Sequence, residues 1–422
     1  MILLLAAVAH GQEPPSEIPP VDRTPYSANG FLELRPVMIW QDSDAALFRL
    51  RSFTDETPGA QTMQLNSRVQ LDASYRRRWF GAQTRAVVDT GYTSGAWSAD
   101  ATAYELYLSL KPAPSLTLDA GKKTLKWGKG YLWNPVAFLD RPKNPEDPAL
   151  ALEGFTVLSA DYIRTFDGPL QVMSVTPVLL PVFGDLNRSF GEGGHLNVAG
   201  KLYLLFLDTD MDVMFLMGGS RRARFGVDFS RNLASNVEVH GEVTHVPANL
   251  TAVLESTRTI VQEEQPATSL VMGLRYLTEA NTTYIVDYFR NGTGYAPGAM
   301  EAYFDLIDRG YAAWTVSGDA RTLMLAARAT DAGYGRMNPM RNYLYGRVNQ
   351  PDALGVLYLT LGASTIVNVD DGSFSVLPEV QYKPTENLEL RWLANIQRGG
   401  TWTEFGEKPA DVRVELRARY YF

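Results

Sequence analysis

A short basic segment carries the residue types best suited to holding a ligand. Residues 121–134 read GKKTLKWGKGYLWN, and four lysines fall within eight positions of this segment. Ammonium groups crowded at a narrow opening focus a positive field that attracts anions, and aromatic rings stack on sugars. The alternative is that the glycine, tryptophan and proline residues make the segment only a rigid cap. The candidate ligand-binding residues are Lys122, Lys123, Lys126, Lys129, Tyr131 and Trp133.

Charged residues also recur at alternate positions of several predicted strands. Neighbouring strands near the carboxyl terminus place Glu389 and Arg391 beside a row of arginines that begins at Arg413. Such a row can line a solute track, or its members can form cross-strand ion pairs that stitch the inner wall. Both interpretations stay open at this point. The candidate pore-lining residues are Arg68, Arg76, Arg391, Arg413, Arg417 and Arg419.

Catalytic and metal-binding patterns have little support in the sequence. Glu238, His240 and Glu242 share one face of a predicted strand, but a metal site needs further ligands from other strands. The chain contains no cysteine and four histidines. Neither a Gly-x-Ser-x-Gly nor a His-Glu-x-x-His pattern occurs. We therefore expect no metal, no cofactor and no enzymatic activity.

The elements that would position these residues are β-strands, and the last strand shows the pattern most clearly. Apolar and polar side chains alternate from residue 412 to residue 422, where the chain ends on Phe422. Successive side chains of a strand point to opposite faces, so one face is apolar and the other carries three arginines and a glutamate. An edge strand of a soluble sheet is the alternative. The combination is typical of a membrane barrel with a wet lumen.

The remaining chain shows a series of similar segments. About eighteen strands of roughly ten residues can be placed from residue 29 onward, with sixteen as the alternative count. Short, turn-rich connections alternate with long polar ones. The fold class predicted is all-β, a transmembrane antiparallel up-and-down β-barrel with short periplasmic turns and long extracellular loops. The long connections are expected near 41–61, 126–154, 182–194, 247–266 and 291–340.

One long connection has apolar residues at helical spacing. Residues 298–314 place Met300, Tyr303, Phe304 and Ile307 on one side of a helix. We expect a short loop helix here. Of the two interpretations, a surface excursion is favoured over a lid or plug, because amphipathic loop helices need no function.

Composition and the amino terminus set further limits. Hydrophobic residues make up 45% of the chain, the mean hydropathy is −0.15, and no apolar run approaches the length of a spanning helix. A net charge of −8 argues against a nucleic-acid partner. The apolar start predicts a secretory signal peptide over residues 1–12, although it is short and lacks a basic beginning. A flexible periplasmic lead-in over residues 13–28 and a single barrel domain over residues 29–422 would follow.

Two regions resemble known families. The last strand resembles the terminal strand of bacterial outer-membrane barrels, which implies that Tyr420 and Phe422 form the signal read by the barrel assembly machinery. Trp127-Gly128-x-Gly130, then Asn134-Pro135 and a strand with Tyr162, resemble the "GRQ...WG...NP" region of alginate-export-like and related uncharacterised outer-membrane porins. Lys122-Lys123 stand where Arg-Gln is commoner in those families. The resemblance implies a monomeric barrel of about eighteen strands that passes an anionic or sugar-like solute.

The function expected is that of a porin or channel in the bacterial outer membrane, for diffusion or export of a small or polymeric anionic or sugar-like solute. One alternative is a scaffold that sheathes a partner such as a multihaem cytochrome. Another is a barrel enzyme acting on lipid or surface polymer. The partners expected are outer-membrane lipid, the barrel assembly machinery, the solute and a periplasmic or lumen-inserted protein.

Overall fold

The computed structural model describes residues 24–54, 59–256 and 259–422. The predicted signal peptide over residues 1–12 lies outside these ranges, as does most of the predicted lead-in over residues 13–28. The end of that lead-in already belongs to the first strand, which begins at Tyr26. Its backbone pairs with the second strand there, with Tyr26 opposite Tyr75.

Eighteen antiparallel strands form one closed sheet, as predicted. Each strand pairs with its neighbour in sequence, and the last strand returns to pair with the first, with Leu34 opposite Ala418. Backbone hydrogen bonds of 3.0 Å in both directions between Gly30 and Phe422 complete the closure. The strands are β1 (Tyr26–Gln41), β2 (Gln61–Arg77), β3 (Phe80–Thr93), β4 (Ala96–Ala113), β5 (Leu116–Lys123), β6 (Phe155–Thr165), β7 (Leu170–Val182), β8 (His195–Phe206), β9 (Thr209–Met217), β10 (Arg224–Ala234), β11 (Val237–Ser256), β12 (Thr259–Leu277), β13 (Thr283–Arg290), β14 (Asn342–Gln350), β15 (Leu359–Asn368), β16 (Phe374–Tyr382), β17 (Leu388–Arg398) and β18 (Ala410–Tyr421).

Alternation along each strand separates the outer and inner faces of the barrel. On β18, Leu416 and Tyr420 are exposed on the outer face, whereas Glu415 is only 2% exposed and Arg417 6% exposed. In this barrel, charged side chains are buried and leucines are exposed, which is the reverse of the distribution in a soluble protein. The alternation therefore creates an apolar outer surface and a polar lumen.

Connection lengths differ at the two ends of the barrel, which we call the short-turn end and the long-loop end. Two residues join β2 to β3 at the short-turn end, whereas residues 124–154 join β5 to β6 at the long-loop end. The long loop predicted for residues 247–266 is wrong, because β11 and β12 continue through it as a hairpin. Asn249 pairs with Gln265, and a register shift between Val246 and Asn249 accommodates the intervening proline.

Within the described ranges, three α-helices lie in the connections at the long-loop end: α1 (Ala46–Thr54), α2 (Pro297–Ser317) and α3 (Arg321–Ala329). Helix α2 confirms the helix predicted over residues 298–314. It starts with proline and ends at Gly318, whose φ of 71° suits the left-handed cap and whose N–H donates to Trp314 O at 2.9 Å. None of the helices in the described ranges is both long and apolar enough to cross a membrane.

The expectation that the predicted helix is a surface excursion is wrong. Tyr303, Phe304 and Ile307 of α2 are buried in one apolar cluster with Phe289 of β13 and Tyr343 of β14. Those wall residues point inward, so the helix covers part of the barrel opening. Burial of this apolar face stabilises the helix in a lid-like position.

Candidate solute pathway

The connection between β5 and β6, residues 124–154, is here called the lumen loop. Its first part is held by Glu242, an inward-facing residue of β11. The Oε1 atom of Glu242 accepts hydrogen bonds from Lys129 N at 2.5 Å, Gly130 N at 2.6 Å and Asn134 Nδ2 at 2.9 Å. Hydrogen bonds to a charged carboxylate are among the stronger ones in proteins. Glu242 therefore anchors the lumen loop to one wall.

The glycines of the Trp-Gly-x-Gly motif make this anchor sterically feasible. Gly128 has a φ of 95°, and a Cβ atom there would lie 2.8 Å from the Glu242 carboxylate. A Cβ atom at Gly130 would lie 2.1 Å from Trp133 O. A side chain at Gly128 would force the loop away from Glu242, and one at Gly130 would clash with the backbone of the loop itself. The motif is thus explained by two close approaches, one to the carboxylate and one within the loop.

The second anchor lies on the opposite wall of the barrel. Asp147 of the lumen loop contacts Arg417 of β18 at 2.6 Å and Arg391 of β17 at 3.0 Å. Glu146 pairs with Arg413 and accepts a hydrogen bond of 2.9 Å from Asn395. Since β11 and β18 lie on different sides of the eighteen-stranded sheet, the loop crosses the lumen.

The two walls differ in charge. Asp212, Asp228, Glu242 and Asp287 are buried acids contributed by β9, β10, β11 and β13. Arginines dominate the inner face of β17 and β18. The lumen loop complements both walls, because it presents Lys129 and backbone N–H groups to the acidic wall and carboxylates to the arginines.

Three of the four predicted lysines pair with carboxylates. Lys122 Nζ lies 2.5 Å from Glu153 and Lys129 Nζ lies 3.1 Å from Asp212, while Lys123 pairs with Asp119. These contacts offset much of the positive field expected from the segment. Lys126 differs. No ion pair of its ammonium group occurs within the described ranges, and it borders an open cavity.

The two predicted aromatic residues take part in packing. Trp133 is 7% exposed and stacks on Phe289, with ring centroids 5.1 Å apart. Tyr131 Oη donates to Glu238 at 3.3 Å, and its ring meets His240 edge-on. Burial and the charge of Glu238 raise the pKa of Tyr131. Neither ring is freely presented, so sugar stacking by this pair stays a prediction.

The predicted arginines form cross-strand pairs along the wall. Arg68 binds Asp89 at 2.7 Å, and Arg419 binds Glu33 at 2.7 Å. These contacts, with those of the β17 and β18 arginines, match the ion-pair interpretation of the row. Arg76 is exposed at the short-turn end and borders a cavity there.

Two of the cavities that border the lumen loop lie along the barrel axis. One, of about 860 Å³, lies toward the short-turn end, where Arg76 and Phe80 line it. The other, of about 930 Å³, lies toward the long-loop end between the lumen loop and the connections that carry Arg221 and Arg336. Both volumes fall within the range of small-molecule sites, roughly 300–1,000 Å³.

Three half-buried cations that the sequence analysis missed line the larger cavity: Lys143, Arg221 and Arg336. Lys143 Nζ donates to Gly130 O and Tyr131 O at 2.7 and 2.8 Å. The two guanidinium groups likewise donate to backbone carbonyls. Across residues 24–54, 59–256 and 259–422, no carboxylate pairs with any of the three. They are scattered in sequence, so no local pattern marks them.

Burial also affects the ionisation of these groups. It lowers the pKa of Lys143, although the acids Glu242 and Asp287 partly oppose the shift. It lowers the pKa of Arg221, with help from the charges of nearby Arg224 and Arg141. A bound anion would offset this cost, since an opposite charge favours the charged form.

The candidate metal residues form a smaller cluster on the acidic wall. His240 Nε2 lies 3.2 Å from Asp287 Oδ1, and both side chains are fully buried. No group of three or more histidine or acidic side chains suited to a metal occurs in the part of the chain described by the structure. The pair supports the wall beneath Tyr131 of the lumen loop.

Comparison with solved structures places the fold among outer-membrane porins. Pseudomonas aeruginosa OccK11 (OpdR) aligns with a TM-score of 0.52 and 12% identity over 94% of this chain and 96% of that chain. Acinetobacter baumannii OccAB1 aligns with a TM-score of 0.52 and 11% identity over 94% of this chain and 96% of that chain. Pseudomonas aeruginosa OccK2 (OpdF), solved in complex with glucuronate, aligns with a TM-score of 0.51 and 11% identity over 94% of this chain and 98% of that chain. No protein-family model matches the sequence, and no curated protein matches it either.

The chain therefore has the closed eighteen-stranded antiparallel barrel fold that these porins share. In this chain, the lumen loop of residues 124–154 joins an acidic wall to an arginine wall. The structural alignments establish the fold, and identities near 12% leave the solute to be inferred from the residues themselves.

Proposed function

We propose that the protein is a bacterial outer-membrane porin that passes small organic anions, including sugar acids. The observation that carries the proposal is the larger cavity, where Lys126, Lys143, Arg221 and Arg336 face a space of about 930 Å³ without a carboxylate partner among the described residues. Lys143, Arg221 and Arg336 are half-buried. A partly desolvated charge without a counter-charge is costly, and an anionic solute would relieve that cost. Trp127 and Phe289 in the same lining offer apolar contact to the rest of the solute.

The size of the cavities supports small solutes over polymers. The lumen loop crosses the barrel, so a solute meets spaces of about 860 and 930 Å³ in place of an open tube. The resemblance to alginate-export-like porins, which would favour a polymeric anion, stays a prediction. The structural relative solved with glucuronate adds support for a small carboxylated sugar.

The scaffold alternative from the sequence loses support on geometric grounds. A barrel that sheathes a partner needs an unobstructed lumen, whereas the lumen loop is pinned to both walls by Glu242 and Asp147. Three expectations remain predictions: the chain is not an enzyme, it takes no cofactor, and it has no nucleic-acid partner. Placement in the outer membrane is supported by the exposed leucines and aromatic residues of the outer face.

The proposal is tested by planar-bilayer recording of the purified full chain under a salt gradient. We expect single-channel steps with a reversal potential that indicates anion preference, and block by added glucuronate. Replacing Lys143, Arg221 or Arg336 with glutamine should lower the preference by about twofold or more, because each removes a charge from a confined opening.

A matched control is Arg321→Gln. Arg321 is a fully exposed cation on α3 whose partner is Asp319, and it lies outside both cavities. Its loss should leave selectivity unchanged. Cation preference in the wild type, or equal effects of the control and the cavity variants, would contradict the proposal.

A further inference from the structure

A single segment of the lumen loop and the end of β5 separates the two cavities. Lys123 and Leu125 line the cavity toward the short-turn end, whereas Thr124 and Lys126 line the one toward the long-loop end. Trp127 lines both cavities. Because residues 123–126 line the two cavities in alternation, the segment 123–127 acts as a partition one chain thick.

One carboxylate holds the partition in place. Asp140 accepts hydrogen bonds from three consecutive backbone N–H groups, those of Leu125 at 3.1 Å, Lys126 at 3.1 Å and Trp127 at 2.9 Å. Lys126 has a φ of 57°, an unfavourable value for a residue with a side chain. The hydrogen bonds to Asp140 offset this cost, so the local conformation depends on that carboxylate.

The indole of Trp127 completes the barrier. It is buried and packs edge-on against Phe138, with ring centroids 6.4 Å apart. The same apolar cluster includes Val157 and Leu216 of the barrel wall. Gly128 follows with a φ of 95°, a conformation open to glycine, and lies where the partition meets the part of the loop fixed by Glu242.

We propose that Trp127 is the gate between the two cavities and that Asp140 is the positioning residue that keeps the gate closed. Release of the three hydrogen bonds lets residues 124–127 swing about Gly128 and moves the indole out of the path. The inference rests on the proposed function, because a gate requires a solute that crosses. It assigns the size limit of the channel to one side chain.

The test combines single-channel conductance with liposome swelling in glucuronate and in larger sugar acids. Trp127→Ala should raise conductance about twofold or more and admit larger solutes, whereas Trp127→Phe should stay near the wild type, since pore width governs both readouts. Asp140→Asn should increase the frequency of transitions between conductance levels.

Trp97→Ala is the matched control, because Trp97 is 70% exposed on β4 and lines neither cavity. Heat-modifiable migration on gels confirms that each barrel has folded.

The outcomes separate the gate from the function. A conducting wild type with an unchanged Trp127→Ala variant overturns the gate and leaves the porin standing. A silent wild type with a conducting Trp127→Ala variant supports a gate that is normally closed. Silence of both overturns the gate together with the porin.

Discussion

Asp147 of the lumen loop lies 2.6 Å from Arg417 of β18, on the far side of the lumen from the Glu242 anchor. The pair joins residues 270 positions apart in sequence. It has two consequences. The pair pins the loop across the barrel, and it neutralises part of the arginine wall that a solute would otherwise meet.

The charge of Asp147 should therefore limit anion preference. Asp147→Asn removes the carboxylate that Arg417 and Arg391 share. Each arginine keeps one other carboxylate partner, Glu415 for Arg417 and Glu379 for Arg391. We expect the anion-to-cation permeability ratio to rise by about twofold, because a confined opening gains one net positive charge. Reversal potentials under a salt gradient measure the ratio. The exposed Asp319→Asn variant is the control, and an equal rise there would contradict the prediction.

The same pair predicts a response to acid. Burial would raise the pKa of Asp147, but the charges of Arg391 and Arg417 outweigh burial and hold the pKa below its ordinary value. A carboxylate with a lowered folded-state pKa stabilises the fold above its unfolded-state pKa, and this stabilisation is lost as the pH falls through the folded-state value. The contribution of Asp147 to selectivity should stay constant from pH 7 to about pH 4, and its loss below that pH should raise the anion preference. Titrated reversal potentials should show a smaller acid-side change in Asp147→Asn; identical curves would contradict the assignment.

Alkaline pH should act on the larger cavity. Burial lowers the pKa of Lys143, so its ammonium group loses its proton at a lower pH than an exposed lysine does. We expect anion preference to fall as the pH is raised toward the ordinary lysine range, with part of the fall attributable to Lys143. Lys143→Arg, which stays charged in this range, should lose that part of the response. If Lys143→Arg and wild type titrate alike, another group is responsible.

Trp133 should matter for stability. It packs against Phe289 and Tyr343, between the lumen loop and the wall beneath α2. Trp133→Ala should lower the free energy of unfolding by roughly 3–5 kcal/mol through lost burial and a residual cavity. Unfolding in denaturant, followed by fluorescence in detergent, measures the loss. Val316→Ala, at an 89% exposed position of α2, should change stability little; a comparable loss there would show that the method reports something other than packing.

Phe422 should affect assembly in cells more than folding in detergent. Its backbone closes the barrel through hydrogen bonds with Gly30, and these survive a change of side chain. If Tyr420 and Phe422 form a signal for the barrel assembly machinery, Phe422→Ser should reduce insertion into the outer membrane several-fold. Refolding of the purified chain should be nearly unaffected. Equal losses in cells and in detergent would point to a structural role alone.

The strand pattern in the sequence predicts more of the fold than of the solute pathway. Period-two alternation over residues 412–422 was enough to predict a barrel, because lipid outside and water inside impose opposite demands on adjacent residues. The same reasoning failed at residues 247–266, where proline and polar residues indicated a loop although β11 and β12 extend through it. Sequence preference there was outweighed by pairing with the neighbouring strand.

The candidate residues show a similar division. Lysines within residues 121–134 stand out as a cluster. Asp119, the partner of Lys123, is local, since the two lie on one face of β5, but Glu153 and Asp212 come from positions that no local pattern specifies. Lys143, Arg221 and Arg336 show the reverse. They are unremarkable in the sequence and meet around one cavity because three separate connections fold toward the same opening.

The sequence by itself thus determined the all-β barrel, the alternation of short and long connections, and the basic loop after β5. These properties depend on periodicity and on residue type, which are local. Only the tertiary structure decided that the loop crosses the lumen. Glu242 and Asp147 contact residues far away in the sequence, and closure of the barrel is what brings those residues within reach. Which charges are cancelled and which stay open to a solute follows from that crossing.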